Sequence, residues 1–128
     1  CAATPCQVAA IEALEGPQDH LKYMVEQYRL RRDYVMRRIS EIPGLSCHAP
    51  AGTFYAFIDI SQLGMPCEEF AMKLLEERQV VVVPGTAFGE FGEGYIRLSY
   101  ATSMQCLEQG LQELEEFVRS HKTEGDPA

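Results

Sequence analysis

The sequence has no surplus of positive charge. Eleven lysines and arginines stand against nineteen aspartates and glutamates, a formal net charge of -8. Sequence-independent nucleic-acid binding needs clustered cations that displace counterions, so that class of function is excluded. Apolar runs of membrane-spanning length are absent, as is a signal-peptide pattern, and the expected setting is the cytosol. Cys-x-x-Cys pairs are absent too, and none of the five cysteines (Cys1, Cys6, Cys47, Cys67, Cys106) has a histidine at metal-ligand spacing. Buried, reduced thiols are the expectation, because free cysteine packs as a small hydrophobe. A nucleophilic cysteine would need a base; the sequence leaves His48 or His20 open for that role in space but gives no reason to expect one. The chain also lacks internal repeats and long low-complexity segments.

What is there describes one globular domain. A chain of 128 residues, 46% hydrophobic and 23% charged, is long enough and apolar enough for a sizeable core. Residues 1–42 hold six basic and six acidic side chains, so the net charge comes entirely from residues 43–128. Organisation centres on residues 80–101, VVVVPGTAFGEFGEGYIRLSYA. Four consecutive valines read as a short buried strand that Pro84-Gly85 ends. A loop with Gly85, Gly89, Gly92 and Gly94 follows, where the backbone turns tightly or approaches something closely. It lacks the Gly-Lys-Ser/Thr ending of a P-loop, and Gly92-Glu93-Gly94 does not continue as a dinucleotide fingerprint. Alternation resumes over residues 95–100, with Ile96, Leu98 and Tyr100 on one face and Tyr95, Arg97 and Ser99 on the other. Arg97 is a permanent cation in mid-strand. It either faces solvent and pairs with a glutamate, or its fork holds a ligand carboxylate through two charge-assisted hydrogen bonds.

This stretch resembles the C-terminal segment of fold-type I, pyridoxal-phosphate (PLP) dependent aminotransferases of the aspartate aminotransferase superfamily. Their pattern runs V-x-V-x-P-G-x-x-F-G-x-x-G-x-x-x-x-R-[LI]-[SC]-[FY]-A, matched here from Val80 through Pro84, Gly85, Phe88, Gly89, Gly92 and Arg97 to Ala101. Residues 50–55, Pro-Ala-Gly-Thr-Phe-Tyr, are similar to the family's P-x-G-[AT]-F-[YF]. The likeness runs from about residue 2 to about residue 120. It implies that Arg97 binds the α-carboxylate of an amino-acid substrate. Gly52 either allows close backbone approach to that substrate or serves a turn, and the sequence favours the turn.

Along the chain, a helix is expected over residues 5–14, with Thr4 as cap, Pro5 at the first position and Gly16-Pro17 as the stop. Residues 18–42 form the longest helix. Its core stripe is Leu21, Val25, Tyr28, Val35, Ile39 and Ile42, and a thinner stripe holds Tyr23, Leu30 and Tyr34. The arginines Arg29, Arg31, Arg32, Arg37 and Arg38 read as a solvated face pairing with Glu26, Asp33 and Glu41. A short strand at 45–48 and an alternating one at 53–60 form a hairpin, with Phe54, Ala56, Ile58 and Ile60 inward. Tyr55 reads as packing. A helix over 66–79 follows, burying Phe70, Ala71, Leu74 and Leu75. The last helix, 103–120, buries Met104, Leu107, Leu111, Leu114 and Val118. Thr102 or Ser103 caps it, Thr102 with Gln105 fits a capping box, and Gly110 admits a close neighbour.

The order α, long α, β, β, α, β, β, α fits an α/β sandwich, a small sheet of about four strands covered by helices. The resemblance makes that sheet mostly antiparallel, the small domain of a PLP-dependent transferase. It implies three parts: residues 1–17 as a remnant of the large cofactor domain, 18–122 as the C-terminal small domain reached through a long bridging helix, and 123–128 as a disordered tail. The chain opens on Cys1 within the family's pattern, so a fragment is expected. PLP chemistry needs a Schiff-base lysine. Lys22, Lys73 and Lys122 all lie outside the family's S-K-x-[FY] setting, so the expectation is one substrate-binding residue (Arg97), no catalytic or cofactor-binding residue, no metal and no activity in isolation. The resemblance implies a parent that is a homodimer and moves an amino group between an α-amino acid and an α-keto acid. Three other readings fit the residues: a PLP lyase of the aminocyclopropane-carboxylate synthase type, the aminotransferase-like domain of a transcription regulator, and a stand-alone module that binds carboxylates.

Overall fold

The computed structural model describes residues 1–122, and the tail expected at 123–128 lies outside the described residues. The elements are α1 (Thr4–Glu15), α2 (Asp19–Glu41), β1 (Ser46–Cys47), β2 (Tyr55–Asp59), α3 (Cys67–Arg78), β3 (Val83–Pro84), β4 (Tyr95–Ser99) and α4 (Met104–Lys122). Short 3-10 turns occupy Ser61–Leu63, Gly85–Phe88 and Glu90–Gly92. The sheet runs β1-β2-β4-β3, and every neighbouring pair is antiparallel. β2 and β3 therefore run parallel with β4 between them, and α3 is the crossover such a pair requires.

Alternation along the strands decides which face is covered. Ala56 and Ile58 of β2 and Ile96 and Leu98 of β4 are buried in one core with Val35 and Ile39 of α2, Phe70 and Leu74 of α3, and Leu111 and Leu114 of α4. α2, α3 and α4 thus cover one face of the sheet. Fully burying a side chain of this size contributes about 1.5–3 kcal/mol, which makes this layer the main source of stability. Phe117, absent from the expected stripe, is completely buried and meets Phe70 edge-on at 5.1 Å between ring centroids.

Several expectations are corrected. α2 buries Val35, Ile39 and the adjoining Ile42, but Leu21 and Val25 are exposed. A helix of 23 residues spans roughly 34 Å, against about 17 Å for a five-residue strand, so its first half overhangs the sheet. Thr4 is the first helical residue of α1, and Ala3 holds the cap position with no side-chain bond. Of the four valines only Val83 joins the ladder. Val82 is buried while Val81 is 74% exposed. Pro84 extends the strand and sits opposite Ile96, which an edge position tolerates because proline's missing donor would face away from the ladder. Phe54 and Leu75 lie partly exposed. Ser103 alone caps α4, its Oγ accepting the Cys106 N–H at 3.2 Å, so the Thr102 capping box does not form. A Cβ at Gly110 would meet nothing within 4 Å, so that glycine admits no close neighbour.

Candidate functional site

The face of the sheet opposite the helices carries Tyr55, Phe57 and Asp59 from β2 and Tyr95, Arg97 and Ser99 from β4. Cross-strand register sets Arg97 directly opposite Phe57 on one side and Val83 on the other. The Arg97 guanidinium carbon lies 4.3 Å from the Tyr55 ring centroid and 4.5 Å from that of Phe88. Phe57 stacks on Tyr95 with centroids 5.0 Å apart and an interplanar angle of 10°, and meets Phe88 edge-on at 6.0 Å. Arg97 is half-buried and forms no ion pair with any acid among the described residues. Asp59, the acid on the same face of β2, is engaged elsewhere. Its Oδ1 accepts the Ser61 N–H at 2.9 Å and the Ser61 hydroxyl at 2.6 Å. A pairing of Arg97 with a glutamate of this chain, left open by the sequence, is not what the described residues adopt.

The loop that delivers Phe88 is fixed by two glycines set back to back. A Cβ on Gly85 would lie 2.0 Å from the Gly92 carbonyl oxygen, and one on Gly92 would lie 1.9 Å from that of Gly85. No side chain fits between them, which is the close approach the glycine spacing anticipated. Two further links tie the loop to the start of α3. The Thr86 hydroxyl donates to Glu68 at 3.0 Å, and the Glu93 carboxylate accepts the Cys67 N–H at 2.9 Å. That backbone donation, joined by the Cys67 thiol, holds the Glu93 carboxyl below the usual glutamate range. Nothing in the local sequence signals the link, because 26 residues separate its partners.

The segment before β2 is held at one end of the sheet. Thr53, not Gly52, adopts a left-handed backbone with φ 67°. The Tyr100 hydroxyl donates to the Thr53 carbonyl at 3.0 Å, and the Tyr100 N–H donates to the Phe54 carbonyl at 2.9 Å. Burial pushes the Tyr100 phenol up. A Cβ at Gly52 would enter open space, so the turn does not require glycine there. Instead Gly52 keeps open a cleft of about 350 Å³ that Tyr28, Arg32, Thr53, Phe54 and Tyr100 also line.

The arginines of α2 find partners within the chain. Arg29 pairs with Glu26, Arg32 with Asp33, and Arg38 with Glu41 and with Glu115 of α4. Arg31 and Arg37 lie over the rings of Tyr28 and Tyr34. Among the cysteines only Cys67 is buried, so the expectation of buried thiols fails for exposed Cys1, Cys6 and Cys106. Burial raises the half-buried Cys47 thiol, and hydrogen bonds from Ser103 and then Thr102 lower that of Cys106. No cluster of three metal-ligating side chains occurs among the described residues. No helix among them is long and apolar enough to cross a membrane.

A PLP site needs a lysine to bond the cofactor. Lys22 pairs with Asp19 at 3.0 Å on the exposed half of α2, and Lys73 pairs with Glu69 at 2.7 Å on α3. Both lysines are thus engaged by acids on their own helices.

The family model for aminotransferase class I and II matches residues 1–114. The aspartate aminotransferase of Pyrococcus horikoshii is 42% identical over 118 residues, which cover 91% of this chain and 30% of that protein. Among solved structures, an alanine aminotransferase from Pyrococcus furiosus is similar with a TM-score of 0.90 and 38% identity, over 94% of this chain and 31% of that one. An aromatic aminotransferase from Pyrococcus horikoshii matches with a TM-score of 0.91 and 38% identity, over 95% and 33%. The chain thus spans about a third of the length of the relatives it matches. It belongs to the family of class I and II aminotransferases.

Proposed function

We propose that this chain is the C-terminal small domain of a PLP-dependent aminotransferase, with residues 1–17 belonging to the large cofactor domain and residues 18–122 to the small domain. The full-length enzyme moves an amino group between an α-amino acid and an α-keto acid, works as a homodimer and resides in the cytosol. The observation that carries this reading is Arg97, a guanidinium on the open face of the sheet, flanked by two rings and paired with no described acid. Its free N–H edges suit the α-carboxylate that substrate and product share. Holding that carboxylate fixes the reacting carbon in place, and pre-set position is worth a large share of a catalysed rate. PLP, when bound in such enzymes, supplies the electron sink. This chain's residues bind and orient only, so the chain alone is inactive.

The test uses the full-length protein and Arg97→Lys. Losing the bidentate fork should lower kcat/KM for amino acids about tenfold to a hundredfold, since hydrogen bonds to charged groups are worth roughly 1.5–3 kcal/mol. Turnover of the matched amine, which lacks the carboxylate, should not change. Equal amino-acid kinetics in the variant would remove Arg97 from the site.

A further inference from the structure

Arg97 is the only arginine among the described residues whose guanidinium carbon lies within 4.5 Å of two ring centroids. The two rings reach it by different routes. Tyr55 comes from β2, where it is paired with Ser99, two residues along β4 and therefore on the same face. Phe88 comes from the last position of the Gly85–Phe88 turn. That turn is immobilised by the Gly85/Gly92 contact and by the Thr86–Glu68 hydrogen bond. Phe88 is also buttressed from beneath, because Phe57 meets it edge-on while stacking on Tyr95. Half of the Phe88 surface remains exposed.

The physics of the contact says what the rings do. A planar cation lying against aromatic π-faces is attracted to them, and its own faces are then closed to ligands. Only the in-plane N–H edge stays available, which is the edge a carboxylate engages through two parallel bonds. An arginine with a free stem samples many rotamers, and ordering it on binding costs affinity. Rings that hold it beforehand remove that cost.

We propose that Tyr55 and Phe88 are positioning residues that clamp the Arg97 guanidinium and aim its fork at the substrate carboxylate. This rests on the reading of Arg97 as the carboxylate-binding residue. Tyr55 and Phe88 act through Arg97 and set how well the site separates a carboxylate-bearing substrate from the matched amine.

The experiment compares Tyr55→Leu, Phe88→Leu and Arg97→Lys in the full-length protein, each with an amino acid and with its decarboxylated amine. Each leucine variant should raise KM for the amino acid roughly fivefold to tenfold, in line with the worth of a cation–π contact in a partly desolvated site. The KM for the amine should stay put, and Tyr55→Phe and Phe88→Tyr should restore the parent values. A merely structural role would instead weaken both substrates together. If Arg97→Lys abolishes the preference for the amino acid while both leucine variants keep it, the clamp is overturned and the carboxylate reading stands. If Arg97→Lys leaves the preference intact, the carboxylate reading falls and takes the clamp with it. Where a leucine variant does not fold, the unsubstituted protein still decides the matter through NMR of its arginine side chains. Ring currents from Tyr55 and Phe88 should move the Arg97 Nε proton upfield of the other arginines, and an unshifted Arg97 signal overturns the clamp.

Discussion

Glu93 shows how a single residue couples the ligand-facing loop to the scaffold. It stands alone at the exit of the glycine loop, yet its carboxylate accepts the first backbone N–H of α3 and so does the work of the cap that Pro66 cannot supply. Donation from the Cys67 N–H keeps the carboxyl ionised to lower pH than an ordinary glutamate. A group whose folded pKa lies below its unfolded one adds stability above the unfolded value, and loses it as pH falls through the folded one. Glu93→Gln should therefore melt below the parent at neutral pH, with the gap closing under acid conditions where both side chains are neutral. Thermal melts between neutral and strongly acidic pH would check this, and a gap that stays constant with pH would remove the charge from the explanation. The open-face position of Arg97 was legible from strand alternation, and the Gly85–Gly92 approach from spacing. The Phe88 contact and the Glu93 cap were not, because both depend on the path of a loop that the sequence does not encode locally.

At the scale of elements, type was easier to read than extent. Helices α2, α3 and α4 and the succession of strands along the chain follow from periodicity, since a half-buried element needs a repeat of 3.6 or 2 to keep its apolar side inward, while α1 follows from its proline start and its Gly16-Pro17 stop. Extent depends on partners. The valines of 80–83 have strand propensity throughout, yet β4 offers ladder positions to Val83 and Pro84 only. The ends of α4 show the same dependence: Thr102 and Ser103 are equally good caps in sequence, and the backbone chooses Ser103, whose Oγ reaches Cys106 and whose carbonyl accepts the Leu107 N–H at 3.1 Å. Ser103→Ala should cost about 1 kcal/mol in urea unfolding, as caps of this kind do, while Thr102→Ala should cost far less. Equal losses from the two substitutions would contradict the cap seen here.

The molecule as a whole has two unequal ends. Around the sheet, α2, α3 and α4 share a closed core, whereas none of α1 is buried: Val8 is 62%, Ile11 55% and Leu14 83% exposed. Leu21, Met24 and Val25 on the overhanging half of α2 are exposed as well. The sequence could show that these positions are apolar, but not which surface covers them, because nothing within the described residues does. An element that buries nothing contributes little to unfolding free energy, so a chain beginning at Gln18 should melt within about 2 °C of the longer one. A loss of 1 kcal/mol would shift a domain of this size by roughly 4 °C or more. Our reading that residues 1–17 belong to the cofactor domain gives the complementary expectation. Amide hydrogens of α1 should exchange rapidly in the 128-residue chain and slowly in the full-length enzyme, where the apolar face of α1 has a partner. Slow exchange of α1 in the short chain would mean that it packs on the small domain, and the division at residue 17 would then be wrong. Rapid exchange in both would leave Val8, Ile11 and Leu14 facing water in the enzyme, which their composition opposes.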